Sequence, residues 1–358
     1  MLELDLSATS IDLTRTICDV PSVSDDETVL ADAIDAAVRA LPHLDVHRDG
    51  DTIVARTDGG RAQRVVIAGH IDTVPINGNV PTRDIEIDGE AYVWGRGTVD
   101  MKAGVAVQLK LAAELSDPRV DITWMWYDHE EVDADLNGLT RLAARRPDLF
   151  TADFAILGEP SNGQVEGGCN GNLRAIVRTH GVRAHSARAW IGENAIHKAA
   201  PVLARLAEYR PREVPVEGLV YREGLSAVRI GGGIAGNVIP DLCEVEVNYR
   251  FAPSRSVAEA EEHVRNVLEG FEVEVVDVAA GARPGLDAPL AQEFLAAVGG
   301  EARPKYGWTD VARFSALGVP AVNYGPGDPH LAHHDEERVP IAQIEAVEHG
   351  LRAWLTAR

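Results

Sequence analysis

The stretch Val65-Val66-Ile67-Ala68-Gly69-His70-Ile71-Asp72-Thr73-Val74-Pro75 sends an apolar run straight into a histidine and a carboxylate two residues apart. Three other segments repeat the pattern. Asp121-Ile122-Thr123-Trp124-Met125-Trp126-Tyr127 runs into Asp128-His129-Glu130-Glu131, and Asp153-Phe154-Ala155-Ile156-Leu157-Gly158 runs into Glu159-Pro160. Val319-Pro320-Ala321-Val322-Asn323-Tyr324 leads through a Gly/Pro turn to His330, His333 and His334. Four short apolar runs read as buried strands. Each releases His or acidic residues at its C-terminal end, the edge where open α/β sheets bind ligands. One such His-x-Asp would be an ordinary turn; four strand ends of this kind point to a metal site.

The bulk properties agree with an α/β enzyme. At 358 residues the chain is too long for one comfortable core, so two domains are expected. It is 45% hydrophobic and 25% charged, with no apolar run near membrane-span length, so no membrane partner is expected. Met1-Leu2-Glu3-Leu4-Asp5-Leu6 lacks the basic region and apolar core of a signal peptide. Cys18, Cys169 and Cys243 are odd in number and far apart, which fits a reducing, cytoplasmic setting rather than a disulfide framework. A formal net charge of −22 would repel a phosphate backbone and argues against nucleic acid.

Along the chain, helical spacing at Ile11, Leu13 and Ile17 is followed by Ser24-Asp25-Asp26-Glu27, which reads as a capping box for the amphipathic run from Val29 to Val38. Trp94-Gly95-Arg96-Gly97-Thr98-Val99-Asp100-Met101-Lys102-Ala103-Gly104 is a glycine loop that puts Asp100 at the start of a helix over 105–115. A helix near 138–146 continues the alternation of a parallel sheet. After Glu159 the pattern changes to β-α-β-β-α-β: a strand over 173–181, a helix over 192–209 with Ile196, Ala199, Leu203 and Leu206 inward, strands over 225–231 and 243–251, a helix opened by the capping box Ser256-Val257-Ala258-Glu259, and a strand over 271–278. This is the ferredoxin-like order, and it reads as a separate domain inserted into the α/β domain. Helices near 289–298, 310–317 and 341–355 follow the return of the chain.

Imidazole with carboxylate suits Zn²⁺ or a close neighbour. The set exceeds what one catalytic zinc takes, which suggests two ions about 3.5–4 Å apart, bridged by a carboxylate and a water. Asp100 on its glycine loop is the natural bridge. Asp72 can accept the second ring N–H of His70 and fix its tautomer. In Glu130-Glu131 one carboxylate can ligate while its neighbour stays free as a general base.

These residues resemble the metallopeptidase family (M20) that includes dinuclear-zinc carboxypeptidases, aminoacylases, acetylornithine deacetylases and succinyl-diaminopimelate desuccinylases. The matching pieces are Gly69-His70-Ile71-Asp72-Thr73-Val74-Pro75, Gly95-Arg96-Gly97-Thr98-Val99-Asp100-Met101-Lys102, Glu130-Glu131, Gly158-Glu159-Pro160 and His333, in order over nearly the whole chain. The resemblance implies an α/β fold. By that resemblance it has a mixed or parallel-sheet zinc-hydrolase catalytic domain over 1–171 plus 284–358 and an inserted ferredoxin-like α+β dimerisation or lid domain over 172–283. It also implies two Zn²⁺ per subunit, for which Co²⁺ can substitute. His70 and Glu159 would bind one ion, Glu131 and His333 the other, and Asp100 both; Asp72 would orient His70, and Glu130 would be the base. His333 is preferred to His334 because the family's last histidine is usually followed four residues later by Glu, here Glu337.

Gly181-Val182-Arg183-Ala184-His185-Ser186-Ala187 resembles the family's dimerisation motif, with Ala184 where Gly is usual. By that resemblance the protein is a homodimer in which His185 serves the neighbouring subunit's oxyanion. Gly168-Cys169-Asn170-Gly171, Asn237-Val238-Ile239-Pro240 and Tyr306-Gly307-Trp308-Thr309-Asp310 are similar to the actinobacterial succinyl-diaminopimelate desuccinylases, and depart from proteobacterial ones, which carry arginine in the first stretch. The function expected is hydrolysis of a small N-acyl amino acid, N-succinyl-L,L-2,6-diaminopimelate, in lysine and diaminopimelate biosynthesis. Arg250 would bind a substrate carboxylate, with Asn237, Thr309 and Asn170 as further contacts. The alternatives within the family are an acetylornithine deacetylase or a dipeptidase or carboxypeptidase; outside it, a non-enzymatic metal-binding protein.

Overall fold

The computed structural model describes residues 2–357, so Met1 and Arg358, the expected ends of the first domain, lie outside the described residues. The chain divides into two compact units. One comprises 1–167, 284–303 and 313–358; the other comprises 168–283 together with 304–312.

The first unit is built on an eight-stranded sheet in the order Asp45–Asp49, Thr52–Arg56, Asp121–Tyr127, Arg64–His70, Phe154–Leu157, Ala321–Asn323, Glu166–Gly167 and Arg303–Pro304. The four apolar runs of the sequence are its four adjacent central strands, and all three pairings among them are parallel. Asp45–Asp49 with Thr52–Arg56, Thr52–Arg56 with Asp121–Tyr127, and Ala321–Asn323 with Glu166–Gly167 are antiparallel, so the sheet is mixed. Central parallel strands are covered on both faces, which is why they read as continuous apolar runs. Every residue of Asp121–Tyr127 and of Phe154–Leu157 is buried. Parallel pairing also brings their C-terminal ends to one edge.

The helix Lys102–Glu114 packs against this sheet, and ten of its residues are buried. It starts close to the strand ends because glycine meets glycine: a Cβ on Gly104 would stand 2.3 Å from the Gly158 main-chain oxygen. The Lys102 ammonium is buried and donates to the carbonyls of Ile17 (3.1 Å) and Val20 (2.8 Å), tying the first helix, Ser10–Cys18, to the start of this one.

One local expectation fails here. The helix Thr28–Arg39 begins at Glu27 without any side-chain cap. Ser24 and Glu27 do not form a capping box, because residues 22–24 run beside the end of the His70 strand: Val23 bridges Thr73 in parallel, and the Thr73 amide donates to the Ser22 oxygen at 2.9 Å.

The second unit holds a four-stranded antiparallel sheet in the order Gly224–Gly232, Leu242–Phe251, Gly171–His180, Glu272–Ala279. This is the ferredoxin-like arrangement. Leu173, Ala175, Val177, Cys243, Val245 and Val247 bury one face against Val202, Leu206, Ala260 and Val264 of the helices. The capping box at Ser256 and Glu259 is present. The expected helix over 192–209 is instead two, Ala195–Lys198 and Ala200–Glu208, broken where Pro201 enters. Its buried stripe is Ala195, Ala199, Val202 and Leu206, whereas Ile196 and Leu203, expected inward, are 41% and 38% exposed. A hairpin, Glu213–Val216 with Leu219–Arg222, precedes the second strand and turns at Glu217-Gly218 with φ of 47° and 85°.

The glycine contact yields a stability prediction. Gly104→Ala forces a methyl against the Gly158 carbonyl, and overpacking of this kind costs about 1–3 kcal/mol. Urea unfolding of the variant is expected to give a free energy lower by that amount, seen as a lower midpoint at unchanged m.

Candidate metal centre

The central strand ends at His70, which is fully buried. Its Nε2 faces Asp100 Oδ1 at 3.0 Å and Glu159 Oε1 at 4.0 Å. Its Nδ1 lies 3.0 Å from the Asp72 main-chain oxygen and 3.5 Å from the Asp72 carboxylate. Orientation of the ring thus comes from the backbone of Asp72 as well as from its side chain. With Nδ1 donating, Nε2 is the atom left for an ion.

On the other side of Asp100, Oδ2 lies 3.3 Å from His333 Nε2. The same nitrogen is 3.0 Å from Glu131 Oε2 and 3.1 Å from Oε1. The five side chains therefore form a chain, Glu159–His70–Asp100–His333–Glu131, in which Asp100 turns one oxygen to each histidine. His334 points elsewhere: its Nδ1 accepts the Glu336 amide at 3.1 Å.

Two buried carboxylates hold this frame. Glu337 accepts the amides of Val99 (2.8 Å) and Asp100 (3.0 Å) with Oε1 and Arg96 Nη1 (2.9 Å) with Oε2. It thereby fastens the Asp100 loop to the His333 segment, and no part of it reaches solvent. Asp72 accepts the amides of Glu130 (3.0 Å, Oδ1) and Glu131 (3.1 Å, Oδ2), so the acidic loop is anchored to the His70 strand.

The pKa shifts follow from this arrangement. Hydrogen bonds to Asp100 and Glu131 push the His333 pKa up to about 10. Burial opposes charge on His70, yet the bonds to Asp100 and Asp72 hold its pKa well above the usual value. Burial raises Asp100, but the two imidazoles pull its carboxyl below the ordinary carboxylate range. Burial pushes Glu131 up. Three carboxylates meet at two imidazoles, a surplus of negative charge that favours positive charge at this edge. Two His nitrogens and three carboxylates are the donor types a pair of divalent cations takes, so the residues fit such ions.

A second group, Glu27, Asp128 and His129, also lies within metal-ligating reach. It already carries its counter-charge: Arg141 Nη2 donates to both Asp128 oxygens at 2.9 and 2.6 Å, Thr52 donates at 2.5 Å, and His129 sits between Asp128 (2.6 Å) and Asp25 (3.0 Å). It reads as a brace beneath the acidic loop.

The remaining expected residues lie in the second unit. His185 is exposed, its Nδ1 accepting the Ala187 amide at 3.0 Å. It pairs with Val238, and the Ser186 amide donates to the Asn237 oxygen at 2.9 Å, so the two motifs 183–187 and 237–240 are neighbours. Arg250 is half-buried opposite Asn172, and no hydrogen bond or ion pair engages its guanidinium among the described residues. Asn170 is buried; its Nδ2 donates to the Arg222 carbonyl at 2.9 Å while its Oδ1 has no partner. Thr309 is buried near it, its main-chain oxygen 3.7 Å from Cys169 Sγ.

Ser24, Arg96 and Lys102 support the site, a role for which their motifs in the sequence carry no signal. Glu337 was a spacing marker only. Nothing local in the sequence signals their partners, which lie far away in the chain.

Comparison with known proteins agrees with this geometry. The model of peptidase family M20/M25/M40 matches residues 66–357. The chain is 53% identical over 355 residues to a putative succinyl-diaminopimelate desuccinylase DapE of Mycobacterium tuberculosis, covering 98% of this chain and 99% of that one. It is 48% identical over 364 residues to a succinyl-diaminopimelate desuccinylase of Corynebacterium glutamicum, covering 99% and 98%. Among solved structures, a Staphylococcus aureus tripeptidase superposes with a TM-score of 0.77 at 20% identity, covering 99% and 98% of the two chains. An M20 family metallo-carboxypeptidase from Sulfolobus solfataricus gives 0.75 at 16%, covering 97% and 98%, a likeness of fold. The chain belongs to peptidase family M20/M25/M40.

Proposed function

We propose that the protein is a two-metal amidohydrolase that cleaves N-succinyl-L,L-2,6-diaminopimelate to succinate and L,L-2,6-diaminopimelate, within diaminopimelate and lysine biosynthesis. The observation that carries the chemistry is the run Glu159–His70–Asp100–His333–Glu131, with one Asp100 oxygen toward each histidine. The names of the two near-full-length relatives support the substrate.

In this reading His70 and Glu159 hold one ion, Glu131 and His333 the other, and Asp100 both. The ions are Zn²⁺, with Co²⁺ able to substitute. When bound, such a pair polarises an amide carbonyl and lowers the pKa of a water between its members towards about 7. Glu130, whose amide is fixed by Asp72, takes a proton from the attacking water and returns it to the leaving nitrogen as the C–N bond breaks. Asp72 keeps His70 in the tautomer that leaves Nε2 free.

From the second unit, Arg250 binds a substrate carboxylate; its half-buried guanidinium without an internal partner supports this. Asn237, Thr309 and Asn170 are the further substrate contacts. His185, supplied by a second copy of the chain, donates to the oxyanion, a contribution of about 3–4 kcal/mol for one well-placed donor. The outer strand Gly224–Gly232 supports a homodimer: it is exposed from Ser226 onward and carries Val228 and Ile230, 58% and 48% exposed, on an unpaired edge. The three free, buried cysteines suit a reducing cytoplasm, and no helix among the described residues is long and apolar enough to cross a membrane.

Three outcomes test the reading. Zinc-loaded protein is expected to hydrolyse N-succinyl-L,L-diaminopimelate in strong preference to N-acetylornithine, followed by loss of amide absorbance; the reverse preference overturns the substrate. Glu130→Gln is expected to retain two ions by metal analysis while kcat falls about 10²–10⁴-fold, the range of general acid–base contributions; loss of metal in this variant would remove Glu130 from the role of base.

The third concerns pH. His333 has a folded pKa near 10, above the unfolded value of about 6.5, so its charged form adds stability that is complete below about pH 6.5 and disappears as pH rises through about 10. Metal-free protein is therefore expected to lose urea resistance between about pH 7 and 10, and Zn²⁺ is expected to abolish that slope and to release protons on binding, read by calorimetry in buffers of different ionisation enthalpy.

A further inference from the structure

We propose that Ser24 is a positioning residue of the metal centre, acting through Asp72, an inference that rests on the two-metal reading above. Residues 22–24 lie along the exit of the central strand. The Ser22 hydroxyl donates to the Ile71 oxygen at 2.6 Å, the Ser24 amide to the Thr73 oxygen at 3.2 Å, and the Ser24 hydroxyl to Asp72 Oδ2 at 2.7 Å.

Asp72 is completely buried, and its carboxylate meets three parts of the centre at once. Oδ1 accepts the Glu130 amide and lies 3.5 Å from His70 Nδ1; Oδ2 accepts the Glu131 amide. The Ser24 hydroxyl is the one further donor to Oδ2 among the described residues. Without it each oxygen keeps one amide donor, from Glu130 and Glu131, and the carboxylate loses the one side-chain hydroxyl that fixes its angle about the Cβ–Cγ bond. Both the ring of His70 and the loop bearing Glu130 and Glu131 take their orientation from that carboxylate.

Glu27 grips the same loop one residue earlier: it is buried, and its Oε1 accepts the His129 amide at 3.2 Å. The two residues that look like a helix cap thus clamp the acidic loop from below. A hydrogen bond to an ionised group is stronger than a neutral one, and a buried carboxylate depends on each donor it has.

The test compares wild type, Ser24→Ala and Ser24→Thr in the full chain. Zn²⁺ affinity is measured by competition with a chromophoric chelator, the d–d absorption of the Co²⁺ form is recorded, and kcat and KM are measured on N-succinyl-L,L-diaminopimelate. Loss of an outer-sphere partner typically lowers metal affinity or activity about 10–100-fold. Ser24→Ala is expected at the low end, with Zn²⁺ affinity and kcat each down about tenfold, KM within about twofold and an altered Co²⁺ spectrum. Ser24→Thr keeps the hydroxyl and is expected to restore all three. Unchanged affinity and kcat in Ser24→Ala, with or without a lower melting temperature, overturns the proposal. An equal loss in Ser24→Thr does so as well, because the effect is then one of packing. If wild type binds two ions yet leaves the substrate intact, the function reading fails, and the affinity ratio of the two variants to wild type still decides the role of Ser24.

Discussion

Negative charge gathered at one buried edge is the constraint on which the first unit depends. Asp72, Asp100, Glu159 and Glu337 are all wholly or largely out of solvent, and Glu131 and Glu130 stand beside them. Taking carboxylates out of water is expensive unless each oxygen is matched by donors or cations. The chain meets this demand in two ways. Asp72 and Glu337 are satisfied by backbone amides, Ser24 and Arg96, whereas Asp100, Glu131 and Glu159 face imidazoles that invite a cation. The division separates the carboxylates that build the frame from those available to a ligand.

The fold was legible where burial dictates residue type. Central parallel strands cannot hide polar residues on either face, so 65–68, 122–126 and 154–157 announce themselves, and the His or carboxylate where each run ends is then conspicuous. Period-two alternation made 243–251 equally plain. Local rules failed where one motif had two uses. Ser24-x-x-Glu27 has the residues of a capping box, as does Ser256-x-x-Glu259, and only the second is one. The difference is tertiary: a central strand exits beside Ser24, and its buried carboxylate competes for the hydroxyl. Helical phase misled for a similar reason. In 192–209 the break at Pro201 moved the buried stripe to Ala195 and Val202, leaving Ile196 and Leu203 in solvent.

The candidate ligands carry a local mark, a strand end or a glycine loop. Residues that position them do not, because their partners lie far along the chain: Glu337 meets Arg96 across 241 residues, and Ser24 meets Asp72 across 48. A glutamate beyond the last histidine or a serine before a helix has many uses in sequence and only one in space. Geometry was needed to find them.

The Glu131–His333 contact spans 202 residues and encloses the whole of the second unit in sequence. Domains emerging from a ribosome fold N-terminal first, as units. The first unit is discontinuous, and its central strand Ala321–Asn323 and the residues His333 and Glu337 follow the whole of the second unit in the chain. The candidate ligand set His70, Asp100, Glu131, Glu159 and His333 is therefore complete in the chain only near the end of synthesis.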